Sequence, residues 1–227
     1  MSSTRDTRVA GMKDLDAYEG VARVAGAFAD PVRLEIVEAL AQSPRSVEAL
    51  AEVCGLPQKN ISYHLQKLRS SGAVTRIPLG RRAVYSLTDD AVSRVWTVLR
   101  EFATGHLPGS GGAGDRDLTR EELERLVEDR AVTLIDVRPS SEYEFGHLPG
   151  AVSVPLETLE SAISDLPRRV PVVAYCRGPY CKMAAKAVDR LEEAGFEAAR
   201  FSDGVVEWKG AGRSVVAPDG EGEPEAG

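Results

Sequence analysis

Three cysteines in 227 residues, no apolar run near twenty residues, and no acidic side chain between Glu52 and Asp89: these scarcities bound the protein first. So few thiols, in odd number, do not make a secreted disulfide framework, and they read as reduced at rest. Without a membrane-length apolar stretch or a basic-plus-apolar leader, the expectation is a cytoplasmic protein with no membrane partner. The missing acids matter most. Lys59, Lys67, Arg69, Arg76, Arg81 and Arg82 all fall in that stretch, so a basic block stands inside a chain whose net charge is −7. An ordinary solvated face mixes both signs, whereas a one-signed block predicts a polyanion-facing surface.

The charge divides along the chain. Residues 1–103 carry 14 Lys and Arg against 12 Asp and Glu, and residues 104–227 carry 14 against 23. The change falls at a Gly-, Pro- and Ser-rich segment, Thr104-Gly-His-Leu-Pro-Gly-Ser-Gly-Gly-Ala-Gly-Asp115, which has little to bury and reads as a linker over 104–116. The expected organisation is a first domain over 13–103, a second over 117–212, and a disordered acidic tail over 213–227. The first dozen residues read as frayed.

In the first domain, Leu15, Tyr18, Ala22, Ala25 and Phe28 keep helical spacing. Asp30-Pro31 predicts an N-cap and first helical position for a helix reaching Ala41. Ser46 opens a short helix ended by Gly55, Pro57 opens another that runs to about Ser70, and Gly72 stops it. Two β-prone runs around Gly80-Arg81-Arg82 then predict a hairpin over Val74–Leu87, before a helix from Asp89 to Ala103. Two short helices around a tight Gly turn are a helix-turn-helix pattern, and the hairpin is its wing. In the second helix Ile61, Leu65 and Leu68 face inward. That leaves Gln58, Lys59, Ser62, Tyr63 and Gln66 outward, with His64 on the flank, to read or hold double-stranded operator DNA, while Arg76, Arg81 and Arg82 supply charge from the wing.

The second domain alternates strands and helices. Val132–Val137, Val172–Tyr175 and Ala198–Phe201 read as strands of a parallel sheet, with a helix at 183–194 between the last two. Ligands of such sheets bind at the carboxyl ends of strands, which is where Cys176 falls. The loop Cys176-Arg-Gly-Pro-Tyr-Cys181 leads into that helix, so its backbone N–H groups and the helix N-terminus predict an anion cradle, with Arg177 and Lys182 adding charge. Pro179 removes one of those N–H groups. Cys176 is therefore expected to be the more acidic and exposed thiol, with Cys181 as a resolving partner that closes a bridge. A thiophilic-ion or arsenite clip on the two thiols stays open as an alternative.

Two resemblances bear on this reading. Asp30-Pro31-x-Arg33-Leu34, Ile61-Ser62-x-His64-Leu65-x-x-Leu68 and Gly80-Arg81-Arg82 resemble the ArsR/SmtB winged-helix family of dimeric bacterial repressors, over roughly residues 15–103. The resemblance implies a homodimer joined through the first and last helices, which suits the stripe containing Trp96 and Phe102. The family's paired-cysteine metal box is missing, because Cys54 stands alone and reads as a core residue, and no histidine falls between Asp89 and Ala103. Asp136-Val-Arg138 with Glu142-Tyr143-x-x-Gly146-His147-Leu-Pro149-Gly150, the loop from Cys176, and Asp203-Gly204-x-x-x-Trp208 resemble the rhodanese homology domain, over about 117–212. That resemblance implies that Cys176 accepts sulfur in a six-residue loop, and that Asp136, Arg138 and His147 are structural. The fold class expected is thus an α+β winged helix-turn-helix, mostly α, followed by an α/β rhodanese-like domain. The function expected is a DNA-binding repressor that senses a small sulfur donor (persulfide, polysulfide or thiosulfate) through Cys176 and Cys181, with no metal and no cofactor. A sulfurtransferase tethered to DNA, turning over through Cys176, is the competing enzyme reading.

Overall fold

Asp30 and Pro31 begin a helix for the expected physical reason: the Asp30 carboxylate accepts the Arg33 N–H at 3.1 Å, and Pro31 occupies a first-turn position that needs no donor. A computed structural model of the chain describes residues 15–80, 82–107 and 118–217. Its first half runs α1 (Leu15–Phe28), α2 (Pro31–Gln42), α3 (Val47–Cys54), α4 (Gln58–Ser70), β1 (Val74–Leu79), β2 (Arg82–Leu87) and α5 (Asp90–His106). Arg33 also donates to the carbonyls of Gly26 and Ala27, so the Asp-Pro-x-Arg motif closes the end of α1 while it opens α2. Gly55, at φ 63°, supplies the left-handed residue that ends α3 and turns the chain toward α4.

The three apolar residues of α4, Ile61, Leu65 and Leu68, are fully buried against Ile36, Leu40, Leu50 and Trp96. Their spacing holds the outer face of α4 away from this core, and truncating one to Ala would cost about 2–5 kcal/mol. β1 and β2 form an antiparallel hairpin whose register ends at Leu79 opposite Arg82, and Arg45 adds a bridge to Tyr85. Two expectations need correction. The last helix is longer than Asp89–Ala103 and does contain a histidine, His106, at its C-terminal end, a position the helix dipole and the Phe102 carbonyl both favour. Trp96 is buried within the chain, so it is not part of an exposed stripe.

The second half contains α6 (Arg120–Glu128), β3 (Thr133–Asp136), α7 (Ser140–Phe145), β4 (Val152–Ser153), α8 (Leu159–Ala162) running into a 3₁₀ turn, β5 (Val172–Tyr175), α9 (Met183–Glu193), β6 (Ala198–Arg200) and α10 (Val205–Gly210). The sheet is parallel, in the order β4-β3-β5-β6. Its central strand β5 is buried on both faces, the pattern of a covered parallel sheet, and Cys176 leaves its carboxyl end. β4 escapes sequence reading because two residues carry no periodicity.

The expected linker over 104–116 begins inside α5, and its residues 108–116 lie outside the described residues. The expected tail begins too early. Arg213 pairs with Glu121 and Glu124, and Val216 bridges to His147, so 213–217 belong to the second half, while 218–227, like the first dozen residues, lie outside the described residues. Among the described residues no helix is long and apolar enough to cross a membrane.

Candidate functional site

On α4, Gln58, Lys59, Tyr63 and Gln66 are exposed and Ser62 is half-buried, so the helix presents a polar outer face opposite Ile61, Leu65 and Leu68. The Lys67 ammonium stands 5.5 Å from the centre of the Tyr63 ring. Arg76 and Arg82 are exposed on the hairpin; Arg81 lies outside the described residues. His64 does not join this face. Its Nδ1 lies 3.5 Å from Asp30 Oδ1, which turns the ring back toward the start of α2.

The second site is the loop from Cys176 to Lys182, and here the structure reverses one expectation. Cys176 is 2% exposed, whereas Cys181 is only half-buried. Cys176 Sγ donates to the Cys181 carbonyl at 3.5 Å. Between the thiols, a hydrogen bond from Cys176 to the Cys181 sulfur holds the Cys181 pKa below the ordinary thiol range, with the backbone N–H groups of Met183 and Arg177 adding to the effect. The same hydrogen bond, and then burial, push Cys176 up. Of the two sulfurs, Cys181 is therefore the one in which the charged form is favoured, as the more solvated sulfur should be. The amide cradle is present, but its backbone donors serve both sulfurs, those of Ala184 and Gly178 pointing to Cys176. Lys182 is exposed at the start of α9.

Arg177 is engaged elsewhere. Its guanidinium donates twice to the buried Glu142, at 3.1 Å and 2.6 Å. Glu142 also takes Arg45 from the first half, and Arg138 stands nearby. Burial alone would raise the Glu142 carboxyl, but Arg177, then Arg45 and Arg138, hold it below the usual carboxylate range. Arg138, fully buried, grips Asp136 through two nitrogens, donates to the Gly146 carbonyl, and reaches Gln42 Oε1 of α2 at 2.9 Å. His147 stacks on Tyr143 and contacts its carbonyl.

The two halves therefore meet at the cysteine loop. Gln42 Nε2 donates to the Arg177 carbonyl at 3.2 Å, inside the loop itself. Arg100 of α5 pairs with Glu207 of α10 at 2.7 Å, both almost fully buried, and Trp96 packs on Tyr180. Glu207 in turn accepts the Gly204 N–H and lies against Gly178, where a φ of 149° and a 3.1 Å approach of that carboxylate would strain any side chain. At Gly204 an added Cβ would strike the Arg177 and Cys176 carbonyls at about 2.6 Å, so that glycine is what lets α10 start against the loop. Glu38, Gln42, Arg45, Arg100, Glu142 and Glu207 were not singled out from sequence as functional residues. Two of them carry a hint: Glu142 stands in the Glu142-Tyr143-x-x-Gly146-His147 motif, and Glu207 lies within Asp203-Gly204-x-x-x-Trp208.

Between the halves lies a cavity of about 160 Å³, lined by Glu35, Glu38 and Ala39 of α2, Val53 of α3, and Arg177, Tyr180 and Cys181. Burial, and then Glu207, push the Glu38 carboxyl up to about 7. A larger cavity of about 360 Å³ opens between α6 and α10, and no cysteine lines it. Cys54 packs against the first core, and burial, then Glu35, push its thiol up to about 11. Among the described residues no cluster of three metal-ligating side chains occurs.

Comparison with known proteins divides the chain the same way. A family of helix-turn-helix domains matches residues 28–77, and a family of rhodanese-like domains matches residues 119–211. The HTH-type transcriptional regulator Rv0324 of Mycobacterium tuberculosis is 39% identical over 226 residues, which covers 95% of this chain and 100% of that protein. A sulfurtransferase of Allochromatium vinosum is 30% identical over 98 residues, covering 43% of this chain and 90% of its own. The HTH-type transcriptional repressor SmtB of Mycobacterium tuberculosis is 38% identical over 69 residues, covering 30% of this chain and 51% of its own.

Proposed function

This chain belongs to the ArsR/SmtB-like helix-turn-helix transcriptional regulators that carry a C-terminal rhodanese-like domain, and on that premise we propose that it is a dimeric repressor of the cytoplasm whose operator affinity responds to reactive sulfur. The observation that carries the reading is the contact between the loop and the DNA-binding half. Gln42, two residues beyond the core position Leu40 on α2, donates to a carbonyl of the cysteine loop. A change of covalent state at the sulfurs thus acts on a helix that packs directly against α3 and α4.

In this reading Lys59, Arg76, Arg81 and Arg82 hold DNA phosphates, and Gln58, Ser62 and Tyr63 meet base edges. Exposed Val21 and Val24 of α1 and Val98, Leu99 and Phe102 of α5 form the face that a second copy covers. The sulfur donor is a small persulfide or polysulfide. The Cys181 thiolate lines the cavity and so takes the sulfane sulfur first, and Cys176 then closes the bridge. This inverts the order that chain position alone suggested, because the loop's first residue is the one the fold buries.

The test pairs intact masses with operator-binding curves before and after treatment with cysteine hydropersulfide. The parent should gain sulfur or lose two protons as a bridge, and shift its operator affinity. Cys181→Ser should gain nothing, and Cys176→Ser should stop at an open persulfide reducible by mild thiols. Should the doubly substituted protein shift its operator affinity as the parent does, the cysteine pair is not the sensor.

A further inference from the structure

Glu38 belongs to the DNA-binding half yet opens onto the sulfur site. It lines the same cavity as Cys181, and its Oε1 atom is buried without a hydrogen-bond partner among the described residues. A buried acceptor left unsatisfied is costly, and its persistence at a reactive cavity invites a functional explanation. The surroundings oppose ionisation. Glu207 of α10 and the Cys181 thiolate face it with like charge and Arg100 and Arg177 only partly offset them, while Glu35 shares the cavity from the same helix. Burial is the larger influence, and the result is a carboxyl that still holds its proton near neutral pH.

The chemistry on the cysteine pair needs such a proton. The Cys181 thiolate attacks the outer sulfur of a hydropersulfide R–S–SH, forms a new S–S bond, and breaks the old one. The electron pair leaves on R–S⁻, an alkyl thiolate basic enough (conjugate acid about 8.5 for a cysteine) that it departs poorly from an enclosed cavity unless protonated. In the second step Cys176 attacks the Cys181 Sγ, hydrosulfide leaves, and the Cys176 thiol must give up its own proton.

Resting on the function proposed above, we infer that Glu38 is the proton donor and acceptor of this sequence: its carboxyl protonates the departing R–S⁻, and its carboxylate then takes the proton of Cys176 as the bridge closes. The steps balance. Thiolate, hydropersulfide and carboxylic acid give Cys181 persulfide, R–SH and carboxylate; that persulfide, the Cys176 thiol and the carboxylate give the Cys176–Cys181 disulfide, hydrosulfide and the regenerated acid. The sulfane sulfur is the oxidant and is reduced to sulfide, so no other redox partner enters. The bridge also removes the thiolate's negative charge from beside Glu38, which eases ionisation of α2's carboxyl and carries the modification into the DNA-binding half as a change of charge.

The experiment compares Glu38→Gln with the parent, using two small reagents. Cysteine hydropersulfide releases a basic thiolate, and methyl methanethiosulfonate releases a weakly basic sulfinate that needs no proton. Glu38→Gln should slow loading from the hydropersulfide on the order of a hundredfold, the usual range of general acid catalysis, and leave the thiosulfonate rate at the parent's value. In the parent the hydropersulfide rate should fall as pH rises past about 7, and that limb should vanish in the variant. Equal slowing with both reagents would mean a merely structural role and overturn the inference, as would no slowing with either. If the parent itself gains no sulfur from hydropersulfide while reacting with the thiosulfonate, the failure lies instead in the sulfur-sensing function.

Discussion

The recognition helix and the cysteine loop sit in opposite environments. α4 keeps Gln58, Lys59 and Tyr63 in water and buries only Ile61, Leu65 and Leu68. The loop does the reverse: Cys176, Arg138, Glu142 and Glu207 are buried, and their polar atoms are satisfied by residues up to about a hundred positions away, such as Gln42 and Arg45. A surface polar face needs no partner and keeps its properties when its neighbours change. A buried polar cluster exists only while both halves hold it, because an ion deprived of its counter-charge in the interior costs several kcal/mol. The exposed site should thus be modular, and the buried one should fail as a unit.

The sharpest way to break this comparison is at Glu142, where Arg45 and Arg177 converge on one carboxylate and Arg138 stands close by. Glu142→Ala should destabilise the protein by about 3–5 kcal/mol in chemical denaturation, since it strands buried charge. In the parent, this carboxyl's depressed pKa means that its contribution is present above the unfolded value of about 4.5 and is lost as pH falls through the folded one. Glu142→Ala should therefore show a smaller loss of stability in acid than the parent.

Glu38 should show the opposite sign. The native state keeps its proton up to about 7 and the unfolded state releases it near 4.5, so between those values the native state binds more protons and stability falls as pH rises. The full effect is about 3 kcal/mol. Thermal unfolding of Glu38→Gln should lack this decline and exceed the parent at pH 8.

Arg100→Met tests the buried cross-domain pair in another way. It leaves Glu207 without the partner it holds at 2.7 Å, so it should loosen the docking of the halves by about 3 kcal/mol. Cys181 should then alkylate faster. An unchanged alkylation rate would show that α5 does not help enclose the loop.

The smallest expected stability change lies on the exposed side. Lys59→Ala and Arg82→Ala should each leave stability within about ±0.5 kcal/mol, yet lower the salt dependence of operator binding by about one phosphate contact. A loss of stability there comparable to that at Glu142 would erase the distinction between the two sites.

Local physics made one half legible. Helical spacing at Ile61, Leu65 and Leu68, the Asp30-Pro31 cap and the Gly55 and Gly72 stops are properties of neighbours in sequence, so α2, α4 and the hairpin fall where periodicity and capping put them. The strand leading to Cys176 was equally plain, as a short buried apolar run. What spacing could not give was the rank of the two cysteines. Chain position makes Cys176 the first residue of an open loop, but α2 and α5 cover that loop, so Cys176 is the buried sulfur and Cys181 the half-buried one.

The sequence by itself thus determined the two folds, the basic outer surface of the first, and the presence of a paired-thiol loop at a strand end, because each follows from residues a few positions apart. Only the tertiary structure decided that Gln42, Arg45 and Arg100 of the DNA-binding half would close over that loop, that Glu38 would share a cavity with Cys181, and that His64 would turn from the polar outer face of α4 toward Asp30. The reason is that desolvation and counter-charge are set by what lies within a few ångströms in space, and for these residues those neighbours are remote in the chain.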